Sequence, residues 1–122
     1  MRKRIDAYIP QAMDLVERDL LEDKAVKNIY NSYISNFGAA VVSSGIKATT
    51  AFFSKDEDHR KLLKLLYEIV TGKSADEDKP NEDINKYLDL EGDYNQKIAK
   101  LMDAAAAIKL SIRTFKINIE NG

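Results

Sequence analysis

The stretch AVKNIYNSYISNFGAAVVSSGIKATTAFFSK, from Ala25 to Lys55, decides how the rest of the chain is read. Taken as a helix from Val26 to Ser44, it places Val26, Ile29, Tyr30, Tyr33, Ile34, Phe37, Ala40 and Val41 within one arc of roughly 140°, at about 100° per residue. That arc is a core-facing stripe. The opposite face carries Asn28, Asn31, Ser32, Ser35 and Asn36, which can hydrogen-bond water or a partner without the desolvation cost of an ion. Gly38 lies mid-helix, where glycine costs about 1 kcal/mol against alanine and is best tolerated at a close approach, so a tight helix crossing is expected there. Gly45 is placed to end the helix with positive φ, and a second helix from Ile46 to Lys55 is expected at once.

The composition agrees with that reading. Hydrophobic residues make up 44% of the 122 positions and charged residues 32%, with five Gly and two Pro, a balance that suits a packed helical protein and not a disordered or β-rich one. No run alternates with the period of a strand. The length suits one domain, so residues 1–122 are expected to form a single all-α bundle of five or six helices ending in a long C-terminal helix. The absence of Cys excludes disulfides, thiolate metal sites and a cysteine nucleophile. The basic start, Met1 to Arg4, is not followed by the apolar run of a signal peptide, and no stretch approaches the ~20 apolar residues of a membrane span. A cytoplasmic protein is expected.

The net charge of −1 is unevenly spread. Between Asp76 and Asp93 there are eight acids against two lysines, which leaves that segment at −6 and the rest of the chain at +5. The rest is a mildly basic helical body. The acidic stretch, about 73–93, reads as a mobile surface connection, with a short helix from Asn81 to Leu88 docked through Ile84, Tyr87 and Leu88. A first helix is expected from near Ile5 to Leu21. Pro10 either sits in its first turn or kinks it, and the sequence leaves both open.

Asp56-Glu57-Asp58-His59 invites a metal reading, but acids just before an apolar-periodic run are expected as caps on exposed helix amides, where they also oppose the helix dipole. With one histidine in the chain, no two-His site and no Ser-His-Asp set can be built. No metal, no cofactor and no catalytic residue is expected. The helix from His59 to Thr71, stopped by Gly72, has a broad leucine-rich arc and a narrow remaining face of Arg60, Lys61, Lys64 and Glu68. The three cations, with Lys47 and Lys55 nearby in sequence, are either a solvated face or a phosphate-tracking stripe.

The last helix is expected from Asp93 to Ile119. Its main stripe is Tyr94, Ile98, Leu101, Met102, Ala105, Ile108, Ile112, Phe115 and Ile119; a second line, Ala99, Ala106, Leu110 and Ile117, runs beside Arg113. Two apolar faces on one helix mean burial on both sides or a partner surface. The expected core combines Tyr33, Phe37, Val41, Phe52, Leu66, Ile69, Leu101, Ile108 and Ile112.

Four features together resemble the Cmr small-subunit family, the fifth Cmr protein of type III-B CRISPR RNA-guided effector complexes. They are the Tyr30-Asn31-Ser32-Tyr33 helix, the Ser44-Gly45-Ile46-Lys47-Ala48-Thr49-Thr50-Ala51-Phe52-Phe53 run, the leucine-rich helix, and a long alanine-rich helix ending in Arg113-Thr114-Phe115-Lys116. Within the run, Gly45, Thr49, Ala51 and Phe52 match the family pattern. The resemblance implies a small, all-helical, non-catalytic subunit of an antiviral complex. It would stack with copies of itself into a short filament beside the other Cmr subunits, facing the guide RNA and target RNA. That role needs basic faces for phosphates, for which Lys47, Lys55, Arg60, Lys61 and Lys64 are the candidates. It also needs contact surfaces, for which Ala99, Ala106, Leu110, Arg113 and Ile117 are the candidates. A helical protein-protein adaptor with incidental cations is the competing class, and steep salt dependence of RNA binding separates the two.

Overall fold

The structure is a computed structural model that describes residues 2–118. Six helices occupy most of that span: α1 (Arg2–Asp19), α2 (Asn28–Ser44), α3 (Ile46–Phe53), α4 (Glu57–Thr71), α5 (Pro80–Asp89) and α6 (Tyr94–Thr114). The protein is an all-α bundle with a long C-terminal helix. Three short strands are added to it, β1 (Leu21–Glu22), β2 (Ala25–Lys27) and β3 (Lys116–Asn118), in the order β1-β2-β3.

The small sheet corrects three expectations. Leu21 pairs with Val26 and Glu22 with Ala25 in an antiparallel hairpin, whose two-residue loop, Asp23 and Lys24, has φ of 50° and 67°; positive φ at both positions is the turn that matches strand twist. Strand β2 then pairs in parallel with β3, Val26 opposite Ile117. Val26 is therefore buried in a strand and not on the α2 stripe, and α2 begins at Asn28. At the other end, Phe115 is extended, with φ −95° and ψ 159°, so α6 stops at Thr114. Ile117 consequently belongs to β3 and cannot continue the second apolar line of the last helix. Ile119 lies outside the described residues.

Helix α1 continues through Pro10, which is exposed, so the proline neither starts nor ends it. The stripe of α2 buries Tyr30, Ile34, Phe37 and Val41. Gly38 faces α6, where an added Cβ would meet Met102 Cε at 3.5 Å, an ordinary contact. A methionine side chain fills that crossing, in place of the close backbone approach expected. Gly45, with φ 89°, ends α2 and opens α3.

Helix α3 turns Ile46, Thr49, Thr50 and Phe53 inward, the 3- and 4-residue spacing of one face. The two threonine hydroxyls donate to the Gly45 and Lys47 carbonyls at 2.8 and 3.0 Å, so their burial leaves no orphaned hydroxyl. Phe53 therefore takes the core position that periodicity had given to Phe52, which is 54% exposed. Tyr33 and Tyr94 also lie outside the fully buried set. Phe37, Val41, Leu66, Ile69, Leu101, Ile108 and Ile112 are core as expected.

The acidic stretch contains α5, with Pro80 in its first turn and Pro80, Ile84 and Leu88 buried. Lys97, near the start of α6, is buried and donates its ammonium to the Leu88 and Leu90 carbonyls at the end of α5. A cation on the carbonyl end of a helix satisfies orphaned acceptors and the dipole together.

These burials order the stabilities of three variants. Phe37→Ala and Leu66→Ala should each cost about 2 to 5 kcal/mol in urea denaturation, whereas Phe52→Ala should cost less than about 1 kcal/mol; comparable losses at Phe52 and Phe37 would contradict the assignment of Phe53 to the core.

Candidate functional site

Helix α4 starts at a built cap. Asp56 accepts a hydrogen bond from the His59 amide at 2.9 Å, and its carboxylate also holds the His59 ring through Nδ1 at 2.9 and 3.0 Å. Burial pushes the Asp56 carboxyl up, but the bonds from His59 outweigh it and leave the group below its ordinary value. Asp58 accepts from the Tyr30 hydroxyl at 2.7 Å, and burial together with that carboxylate raises the Tyr30 hydroxyl well above the usual phenol range. The acids here are caps and core anchors. Gly72, with φ 73°, ends the helix with its amide on the Glu68 carbonyl at 2.8 Å.

Leu62, Leu63, Leu65, Leu66 and Ile69 bury the broad arc of α4, which leaves Arg60, Lys61 and Lys64 on the remaining side. They line a cleft of about 310 Å³ together with Arg18 and Asp19 of α1, Glu57, and Glu77 and Asp78 from the acidic segment. Four cations face four carboxylates. Lys64, with a side chain 16% exposed, has its ammonium 3.5 Å from Asp19, 3.9 Å from Glu77 and 4.0 Å from Glu68. Arg18 grips Asp19 through two bonds of 2.7 and 2.6 Å and reaches Glu68 at 2.7 Å. Glu68 is buried and accepts from the Ala75 amide at 3.1 Å through its other oxygen.

The cations thus divide into two kinds. Lys64 and Arg18 are engaged by buried or half-buried carboxylates. Arg60 donates to the Ser54 carbonyl at 3.1 Å, and Lys61 reaches the exposed Glu57, at 3.9 Å. Lys55 is exposed, with its ammonium 3.9 Å from the Phe52 ring centre. Lys47, at the far end of α3, lies 3.8 Å from the exposed Asp89. Arg60, Lys61 and Lys64 are brought together; Lys55 adjoins them through Ser54, and Lys47 stands apart.

On α6, Ala99 and Ala106 are half-buried, Leu110 is 43% exposed and Arg113 is exposed. The second apolar line is therefore covered towards its start and open towards its end. Arg18 and Asp19 are not legible in the sequence because no local pattern links α1 to a helix some fifty residues later; the four-residue spacings of Glu57 with Lys61 and of Lys64 with Glu68 are the visible signs of pairing. Among the described residues no group of three or more His, Cys, Asp or Glu is placed to hold a metal ion, and no helix is long and apolar enough to cross a membrane.

A model of the family described as CRISPR-associated protein (Cas_Cmr5) matches residues 6–109, from α1 to the last turns of α6. The chain belongs to that family. It is the small-subunit family of type III-B CRISPR systems, so the chain is a CRISPR-associated subunit of the Cmr type. The matched span contains every cation of the cleft and stops just short of Leu110 and Arg113. Among curated proteins and solved structures, none matches the chain.

The ion network predicts an acid response. Burial raises the Asp19 carboxyl, but Arg18 and Lys64 more than reverse this and leave it below the ordinary 3.8. A depressed folded value contributes stability above the unfolded value that is lost as pH falls through the folded one. Between about pH 6 and pH 2.5 the urea midpoint of the wild type should therefore fall further than that of Asp19→Asn, with the difference appearing below about pH 4; parallel curves would mean that Asp19 is not held in its charged form.

Proposed function

We propose that this chain is a non-catalytic small subunit of a cytoplasmic type III-B CRISPR effector complex in antiviral defence. It stacks with copies of itself into a short filament and supports the target strand through basic helix faces. Family membership over residues 6–109 carries this reading. The chemistry of the cleft is consistent with it. Phosphate contacts position a strand without reading its sequence, and in RNA-guided complexes sequence is read by the guide. Arg60, Lys61 and Lys55 are the cations with spare donors towards solvent, whereas Lys64 and Arg18 are committed to carboxylates. Because cations and carboxylates balance in the cleft, one subunit holds a strand weakly, and affinity comes from neighbouring copies acting together.

Stacking requires a surface that the bundle leaves uncovered. Leu110 and Arg113 offer one at the open end of the second line on α6, with the half-buried Ala99 and Ala106 leading up to it. A head-to-tail contact of this kind generates a filament when its rotation does not close.

Two measurements test the proposal. In the reconstituted complex, changing Arg60 and Lys61 to Gln should weaken target RNA binding without altering guide-dependent preference. The change should also flatten the dependence of log affinity on log salt by roughly 0.7 per lost contact; an unchanged slope would put the strand on another face. Leu110→Glu should leave the monomer folded, since the site is open to water, yet prevent its incorporation into the complex. Normal incorporation of that variant would move the stacking surface elsewhere.

A further inference from the structure

Next to the cation strip, at the junction of α3 and α4, lies a group of aromatic rings that phosphate tracking does not use. His59 is buried, and its ring is fixed from several sides. The Asp56 carboxylate holds Nδ1, Tyr33 stacks on its face at 3.6 Å between centres with 19° between planes, and Phe53 and Phe52 meet it edge-on at 4.9 and 5.6 Å. Phe53 is buried, but Phe52 is more than half exposed and Tyr33 only partly covered. The outcome is two aromatic rings at the surface, both held in place by a buried imidazole.

We propose that the exposed ring of Phe52 is a stacking platform for an unpaired base of single-stranded RNA, with Tyr33, set steeply to it across His59, beside that base and Lys55 binding the adjoining phosphate. The proposal rests on the reading of the neighbouring strip as a strand-supporting face and adds a base contact to it. Proteins that hold single strands combine cations along the backbone with aromatic planes on which bases stack whatever their identity. Both parts are present and continuous: Arg60 of the strip donates to the carbonyl of Ser54, which stands between Phe52 and Lys55 in the chain. The Lys55 ammonium already lies over the Phe52 ring, a cation-π contact that can be exchanged for a phosphate when a base takes its place on the ring. Of the nearest carboxylates in sequence, Asp56 and Asp58 accept hydrogen bonds from His59 and Tyr30, and the exposed Glu57 lies 3.9 Å from the Lys61 ammonium, so each is directed to a donor of the protein itself.

RNA is favoured over a protein partner by what surrounds the ring. Among the described residues the other large exposed apolar side chains, Val42, Leu90, Tyr94 and Leu110, lie outside α3, and what the Phe52 ring carries is the ammonium of Lys55 and not an aliphatic side chain. Only an unpaired base can lie on it, because a base inside a duplex has both faces occupied by its neighbours.

The test uses the full chain and a ten-nucleotide single-stranded RNA, followed by the NMR ring resonances of Phe52 and Tyr33. Titration of the wild type should shift both sets of resonances, while an RNA of equal charge carrying abasic positions throughout should bind weakly and leave them in place. Phe52→Leu should weaken binding roughly fivefold or more with an unchanged salt slope. Lys55→Gln should flatten the slope by roughly 0.7. Equal effects of intact and abasic RNA on the rings would overturn the platform. If Phe52→Leu has no effect while neutralising Arg60 and Lys61 flattens the slope, the platform is wrong and the strip stands; if neither variant changes binding, both are wrong. Loss of incorporation into the reconstituted complex, with RNA binding by Phe52→Leu unchanged, would assign the ring to a protein partner and overturn the proposal.

Discussion

The fold depends on one close packing, that of the small-residue face of α6 against α1 and α2. Leu101, Ala104, Ala107, Ile108 and Ile112 are fully buried along it, and Ala105 nearly so. Alanine keeps strong helix propensity while removing bulk, so the neighbouring helices can approach a helix that touches α1, α2, α4 and α5 in turn. An ion pair from Arg4 to Asp103, at 3.2 Å, ties α1 to the same helix. With α6 at the centre, α4 must bury its leucines and carry Arg60, Lys61 and Lys64 on the side away from the core. The position of the cations follows from the core and not from any demand of the cations themselves.

Much of this was legible because it is local and periodic. The α2 stripe, the leucine arc of α4, the Asp56 cap and the Gly72 stop each depend on residues within four or five positions of one another. Phe52 and Phe53 show where periodicity lacks resolution: both are apolar and adjacent, and the inward face of α3 is decided by Thr49 and Thr50, whose back-bonded hydroxyls let them be buried. The strands were illegible for a different reason. Two or three residues carry no alternation, and β2 is fixed by Val26 pairing with Ile117, a partner at the other end of the chain. For the same reason the last helix was read through Phe115 into β3.

The site was legible in its residue types but not in its charge balance. A sequence shows three cations on one side of a helix; it does not show that Asp19, Glu68 and Glu77 converge on Lys64. A cation whose charge is already opposed by carboxylates a few ångströms away attracts a further anion less than one without them. The distinction between cations committed to carboxylates and cations with spare donors therefore matters more than their number. It directs a strand towards Arg60, Lys61 and Lys55, and away from the interior of the cleft.

The most direct measurement of this division of surfaces is amide hydrogen exchange on the subunit alone, in the assembled complex, and in the complex with target RNA. Assembly should protect amides around Leu110 and Arg113 on α6, and target RNA should add protection at the α3–α4 junction and along the exposed side of α4. Protection by target RNA on the Asn31 to Asn36 face of α2, with the α3–α4 junction unchanged, would contradict it.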